Sequence, residues 1–165
     1  EIAQCLVGSE MCIRDRRGLI DGERVGVCGA SLGGMSALGC MARYPWITAV
    51  AAFMGSGYFS TLSSALFPPV PADREENQEV LQALASKLAD YDVTTRLDAL
   101  SDRPLLVWHG EADDVVPAAE SARLYQALQA RDKLANLTYL TEQGVGHRIT
   151  PTALQAGADF FRRTL

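Results

Sequence analysis

"RVGVCGASLGGMSALGCMARYP", residues 24–45, decides the fold. It opens on a short β-branched run bounded by glycine, passes through "GASLGG", and continues with apolar residues at helical spacing until Pro45. The pattern predicts a strand, a tight turn and a helix in direct succession.

Working outward, the same alternation recurs. "ITAVAAFMG", residues 47–55, is a continuous apolar run, as expected of a parallel strand covered on both faces. "PLLVWHG", residues 104–110, predicts a third strand, followed by a helix near residues 118–130 with Leu124 and Leu128 on one face. "LTYL", residues 137–140, predicts a short fourth strand. "TPTALQAGADFFRRTL" then closes the chain as a helix with Thr150 as N-cap and Pro151 at the first helical position. Strands alternating with helices specify an α/β fold with a mainly parallel sheet of about four strands and flanking helices. One stretch breaks the alternation. About fifty residues, 56–103, separate the second and third strands. "FPPVP" interrupts them, and Val80, Leu81, Leu84 and Leu88 mark an amphipathic helix over about residues 73–89. A connection of that length carries structure of its own and commonly acts as a lid or pocket wall. A lid role for "YFSTLSSALF", residues 58–67, and a place in the pocket for Tyr58 are the corresponding expectations; a helix packed in the core is the alternative.

The turn carries the chemistry. Gly29-Ala30-Ser31-Leu32-Gly33 fits G-x-S-x-G, which between a strand and a helix places the serine hydroxyl at the end of the sheet on a strained turn. Small residues at the glycine positions let strand and helix approach. The stretch has no Lys-Ser/Thr ending for a phosphate loop and no GxGxxG for a dinucleotide. A serine nucleophile requires an imidazole base and a carboxylate to orient it. The chain has two histidines. With this motif the order runs Ser, acid, His, which leaves His147 as the base. "HGEADDVVP", residues 109–117, follows the third strand and offers Asp113 as the acid, with Asp114 as the rival. His109, ending a strand, reads as a core histidine bonded to backbone.

Composition excludes other classes. At 165 residues, with 48% apolar and 21% charged residues, the chain is the size of one domain and shows neither disorder nor a membrane span. A formal charge of −5 speaks against nucleic acid or an anionic membrane as partner, since both need clustered Lys and Arg. The four cysteines form no CxxC pair and no zinc motif; free thiols fit a cytoplasmic protein. Residues 1–16 stand apart. "CLVGSEMCIRDR", residues 5–16, has no periodicity and no signal-peptide layout, and it resembles the translation of a sequencing-library adapter. It is read as a non-native leader, with residues 17–165 as the domain and a gene start further upstream as the expectation.

"GASLGG", "RPLLVWHGEADDVVP" and "GVGHRITP", in this order, resemble the α/β-hydrolase family, in particular small bacterial carboxylesterases of the YjfP type within the dienelactone hydrolase and prolyl oligopeptidase group. The resemblance covers about residues 18–165 and implies the C-terminal half of that fold. It implies Ser31 as nucleophile, Asp113 as acid, His147 as base and the backbone N–H of Leu32 as an oxyanion donor. It also implies a small-molecule ester substrate, acyl-enzyme chemistry and no metal or organic cofactor. A peptidase of the same fold and a non-catalytic binding protein are the alternatives. The family carries strands before the nucleophile strand, and a loop there supplies a second oxyanion N–H. This sequence lacks them, so the chain by itself is expected to be nearly inactive.

Overall fold

The computed structural model describes residues 21–60 and 74–165. Residues 1–20, with the adapter-like leader, and 61–73, with "FPPVP" and most of the expected lid, lie outside the described residues. Among the described residues the strands are β1 (Gly26–Ala30), β2 (Ala49–Phe53), β3 (Leu105–Gly110) and β4 (Leu137–Glu142). They form one parallel sheet in the order β1-β2-β3-β4. The helices are α1 (Leu32–Arg43), α2 (Glu75–Ala89), α3 (Leu97–Ser101), α4 (Ala118–Gln129) and α5 (Pro151–Thr164).

Side chains alternate across a strand, so the apolar runs of β2 and β3 must be covered on both faces. Val50, Ala52, Leu105 and Val107 pack with Leu38 and Met41 of α1, Leu97 and Leu100 of α3, and Leu124 and Leu128 of α4. Ala49, Ala51, Phe53, Leu106 and Trp108 face the other way, onto Ala153 and Phe160 of α5. Each crossover moves one strand along in the same direction, and right-handed connections then put the crossover helices on one side. Among the described residues, α5, which follows the last strand, covers the opposite face. Gly157 sits where a Cβ would meet the Phe53 ring at 2.7 Å, so α5 lies close against β2.

The parallel four-stranded sheet with helices on both faces agrees with the expected α/β architecture. Two details differ from expectation. β2 ends at Phe53, because Met54 turns to φ 42° and Gly55 packs on the backbone of Gly34 and Met35. The segment "VTTRLDALS" forms a 3-10 turn (Val93–Arg96) and α3, short elements with no periodicity to announce them. They are held by Arg103, whose guanidinium donates to the carbonyls of Tyr44, Ile47, Met41 and Ala99 and so ties α3 to the end of α1. α2 is peripheral: Leu81, Leu84 and Leu88 are half-buried and Val80 is exposed. Among the described residues no helix is long and apolar enough to cross a membrane.

Candidate active site

The carboxyl ends of three strands converge. Ser31 follows β1 with φ 54° and ψ −122°, a backbone conformation that costs a non-glycine residue about 1–3 kcal/mol. The turn is held from both sides: Ser31 N–H donates to Phe53 O (2.9 Å), and Ser31 O accepts from Met35 N–H (3.0 Å). The glycines show why the strand and helix can meet there. A Cβ on Gly29 would lie 2.1 Å from Gly33 O, and one on Gly34 would lie 2.8 Å from Phe53 O. Gly33 faces open space, with nothing within 4 Å of its ideal Cβ. The close approach therefore requires Gly29 and Gly34, and not the second glycine of G-x-S-x-G.

Asp113 and His147 come from the loops after β3 and β4. The two loops are zipped together by Ala112 N–H to Val145 O (2.9 Å) and Glu111 N–H to Glu142 O (3.0 Å). Gly110 permits this contact, since a Cβ there would stand 2.3 Å from Val145 O. Gly144 turns the second loop at φ +72°. Thr150 behind it caps α5, accepting from Ala153 N–H and donating to Glu142.

A continuous hydrogen-bonded chain results. His147 Nε2 lies 2.9 Å from Ser31 Oγ, and His147 Nδ1 lies 2.8 Å from Asp113 Oδ2. The Asp113 side chain is fully buried, whereas that of His147 is 20% exposed. Asp113 Oδ1 accepts the N–H groups of Val115 and Val116, both at 2.9 Å. Burial alone would push the Asp113 pKa up. The hydrogen bond from His147, the two backbone donors and the His147 charge outweigh it, and the carboxyl is held below the ordinary carboxylate value. Asp114, the rival acid, is exposed.

Leu32 occupies the first position of α1, where a backbone N–H has no intrahelical acceptor and can serve a ligand. Its side chain is exposed, as are Val115 and Ile149. Each of these apolar residues lies one or two positions from Ser31, Asp113 or His147. Tyr58 is buried, at 4% exposure, with the Arg123 guanidinium 3.6 Å from its ring centre. Burial raises its phenol pKa, with Arg123 opposing. Its backbone N–H donates to Ser56 Oγ, which in turn donates to Glu120. This polar brace under the β2 loop has no motif in the sequence. A groove of about 430 Å³ borders Cys40, Arg43, Phe59 and Tyr91, and its lining includes none of Ser31, Asp113 and His147. Among the described residues no cluster of three or more His, Cys, Asp or Glu could hold a metal ion.

Sequence comparison extends this geometry. The profile of the prolyl oligopeptidase family (Peptidase_S9) matches residues 1–165. The chain is 49% identical over 155 residues to Esterase YjfP of Escherichia coli K12, covering 93% of this chain and 61% of that protein. It is 30% identical over 156 residues to the putative esterase YitV of Bacillus subtilis 168, covering 92% and 61%. The chain thus spans about three-fifths of the length of these relatives. The crystal structure of TT1662 from Thermus thermophilus superposes with a TM-score of 0.63 at 25% identity, covering 91% of this chain and 57% of that one. By fold and by sequence, the chain belongs to the prolyl oligopeptidase family of α/β-hydrolases.

Proposed function

We propose that this chain carries the catalytic triad of a carboxylic ester hydrolase, with Ser31 as nucleophile, His147 as general base and Asp113 as the acid that orients it. The observation that carries this reading is the unbroken chain from Ser31 Oγ through both ring nitrogens of His147 to a buried carboxylate, at 2.9 and 2.8 Å. Both distances lie within the reach a nucleophile and its base need. The identity to esterases supports an ester as substrate over a peptide.

In the first half-reaction Ser31 Oγ attacks the ester carbonyl and its proton passes to His147 Nε2. The carbonyl electron pair moves to oxygen, and the oxyanion is received by donors that include the N–H of Leu32 at the positive end of α1. Collapse of the tetrahedral intermediate expels the alcohol, which takes the proton back from Nε2. A water molecule then repeats the sequence on the acyl-enzyme and releases the acid. Asp113 accepts the Nδ1 hydrogen throughout, fixing the tautomer that leaves Nε2 free to act. Side chains and backbone handle every proton and electron pair, so the scheme calls on no metal or organic cofactor. The exposed apolar residues Leu32, Val115 and Ile149 suit an ester with an apolar acyl or alcohol group. Tyr58, buried under Arg123, serves the pocket in this reading as support for its β2 side.

The test uses the protein at the full length of its esterase relatives. Its turnover of short-chain p-nitrophenyl esters is compared with that of peptidyl p-nitroanilides of matched size. Faster ester cleavage, lost in Ser31→Ala, is expected. Preferred cleavage of the anilides would make the protein a peptidase.

A further inference from the structure

The second histidine does more than fill the core. His109 ends β3, is 0% exposed and presents Nε2 to two acceptors at once: Val116 O at 2.8 Å and Asp113 Oδ2 at 3.2 Å. A nitrogen facing two acceptors must carry the hydrogen. Its other nitrogen, Nδ1, has no protein partner among the described residues. A proton there would be a buried donor with no acceptor, so the ring is the Nε2–H tautomer.

This ties the ring to the acid's turn: Nε2–H donates to Val116 O and stands 3.2 Å from Asp113 Oδ2. Asp113 Oδ1 accepts from Val115 and Val116, and Oδ2 accepts from His147, with the His109 ring in ion-pair contact beside it. The His109 hydrogen is donated to the carbonyl of Val116, the residue whose own N–H donates to Asp113 Oδ1. The turn that holds the carboxylate is thereby tied to the end of β3 independently of His147.

Resting on the triad reading above, we infer that His109 is a positioning residue: its Nε2–H, donated to Val116 O, fixes the turn that holds the Asp113 carboxylate through which His147 is oriented. Among the described residues the two histidines are the titratable side chains recorded in contact with Asp113. The imidazole of His109 takes no part in proton transfer and acts through a donor that a glutamine amide at the same place can replace.

Because the chain has two histidines, nitrogen-15 labelling of histidine gives two resolvable rings by NMR in the 165-residue chain. His109 is expected as an Nε2–H tautomer with a bare Nδ1. His147 is expected to show a far-downfield Nδ1–H proton from its bond to Asp113, one that Asp113→Asn removes. In His109→Leu that proton is expected to move upfield or to broaden by exchange with water, while His109→Gln retains it. A role confined to filling space would let Leu keep the signal at least as well as Gln. The proposal is overturned by an Nδ1–H tautomer at His109, by an unchanged His147 signal in a folded His109→Leu, or by its loss in His109→Gln. The His109→Gln and tautomer readings stand even if the leucine variant does not fold. If the unmutated protein lacks a downfield His147 proton sensitive to Asp113→Asn, the triad reading itself fails, whatever His109 does.

Discussion

Ser31 and Asp113 are held in place by opposite means. The turn after β1 is shaped by what is missing: side chains at Gly29 and Gly34, whose absence lets α1 start against the end of β1 and β2 and forces Ser31 to φ 54°. It sits on a strand whose residues are exposed or half-buried. The loop after β3 is shaped by what is present. Asp113 is buried and accepts hydrogen bonds on both oxygens, behind a strand whose every residue is buried. Backbone strain positions the serine, and side-chain and amide donors position the acid. The first device depends on shape and the second on charge, so substitutions should separate them.

The largest difference is expected at the acid. Asp113→Asn should lower ester turnover by roughly 10⁴-fold, the scale seen when the orienting acid of a serine hydrolase is neutralised. Asp114→Asn, altering an exposed neighbour, should lower it far less; kinetics of the two variants side by side decide which carboxylate serves. Stability gives a second reading of the same contrast. The Asp113 carboxyl is held below its ordinary pKa, so its contribution to stability is complete above pH ~4 and disappears as the pH falls through the lowered native value. Denaturant unfolding should therefore show wild type more stable than Asp113→Asn at neutral pH, with the gap closing in acid. A gap independent of pH would mean that the ionised form is not what the fold favours.

The glycines sharpen the other side. Gly29→Ala puts a methyl group 2.1 Å from a backbone oxygen that no rotamer change can move, and should cost upwards of ~2 kcal/mol in a chemical-denaturation midpoint. Gly33→Ala meets nothing within 4 Å and lies in a helix, so it should be neutral or stabilising by up to ~1 kcal/mol. Equal losses at the two positions would break the distinction between them.

The smallest effect concerns the strain itself. Ser31→Gly and Ser31→Ala both remove the hydroxyl, but only glycine relieves the positive φ. The glycine variant should be the more stable of the two by about 1 kcal/mol in thermal unfolding. An alanine variant as stable as the glycine one would show that the turn stores no strain.

How legible each half was follows from the same contrast. The turn at Ser31 is local: glycine spacing, a β-branched run before it and helical periodicity after it all lie within residues 24–45. The parallel sheet was legible for the same reason, because two-sided burial leaves continuous apolar runs such as "AVAAF" and "LLVWHG". Asp113 was expected as the acid with Asp114 as its rival, because the two are adjacent and the turn geometry that sends Asp113 inward leaves no local pattern. His109 was read as a core histidine bonded to backbone, and it does bond Val116 O. Its contact with Asp113 depends on how the chain folds back after Gly110, which no periodicity records. The spacing of four residues in "HGEAD" is the one signal that could have paired them. Gly34 was passed over because the motif names Gly33. The packing that demands a glycine comes from Phe53 and Gly55, beyond the turn itself.

The most direct test of the account is the site of covalent capture. The chain, extended to the length of its esterase relatives, is treated with a fluorophosphonate and digested for mass spectrometry. A single adduct on Ser31 is expected, absent in Ser31→Ala and formed much more slowly in Asp113→Asn. An adduct on another residue, or labelling that persists in Ser31→Ala, would contradict the assignment of Ser31, His147 and Asp113 as the working triad.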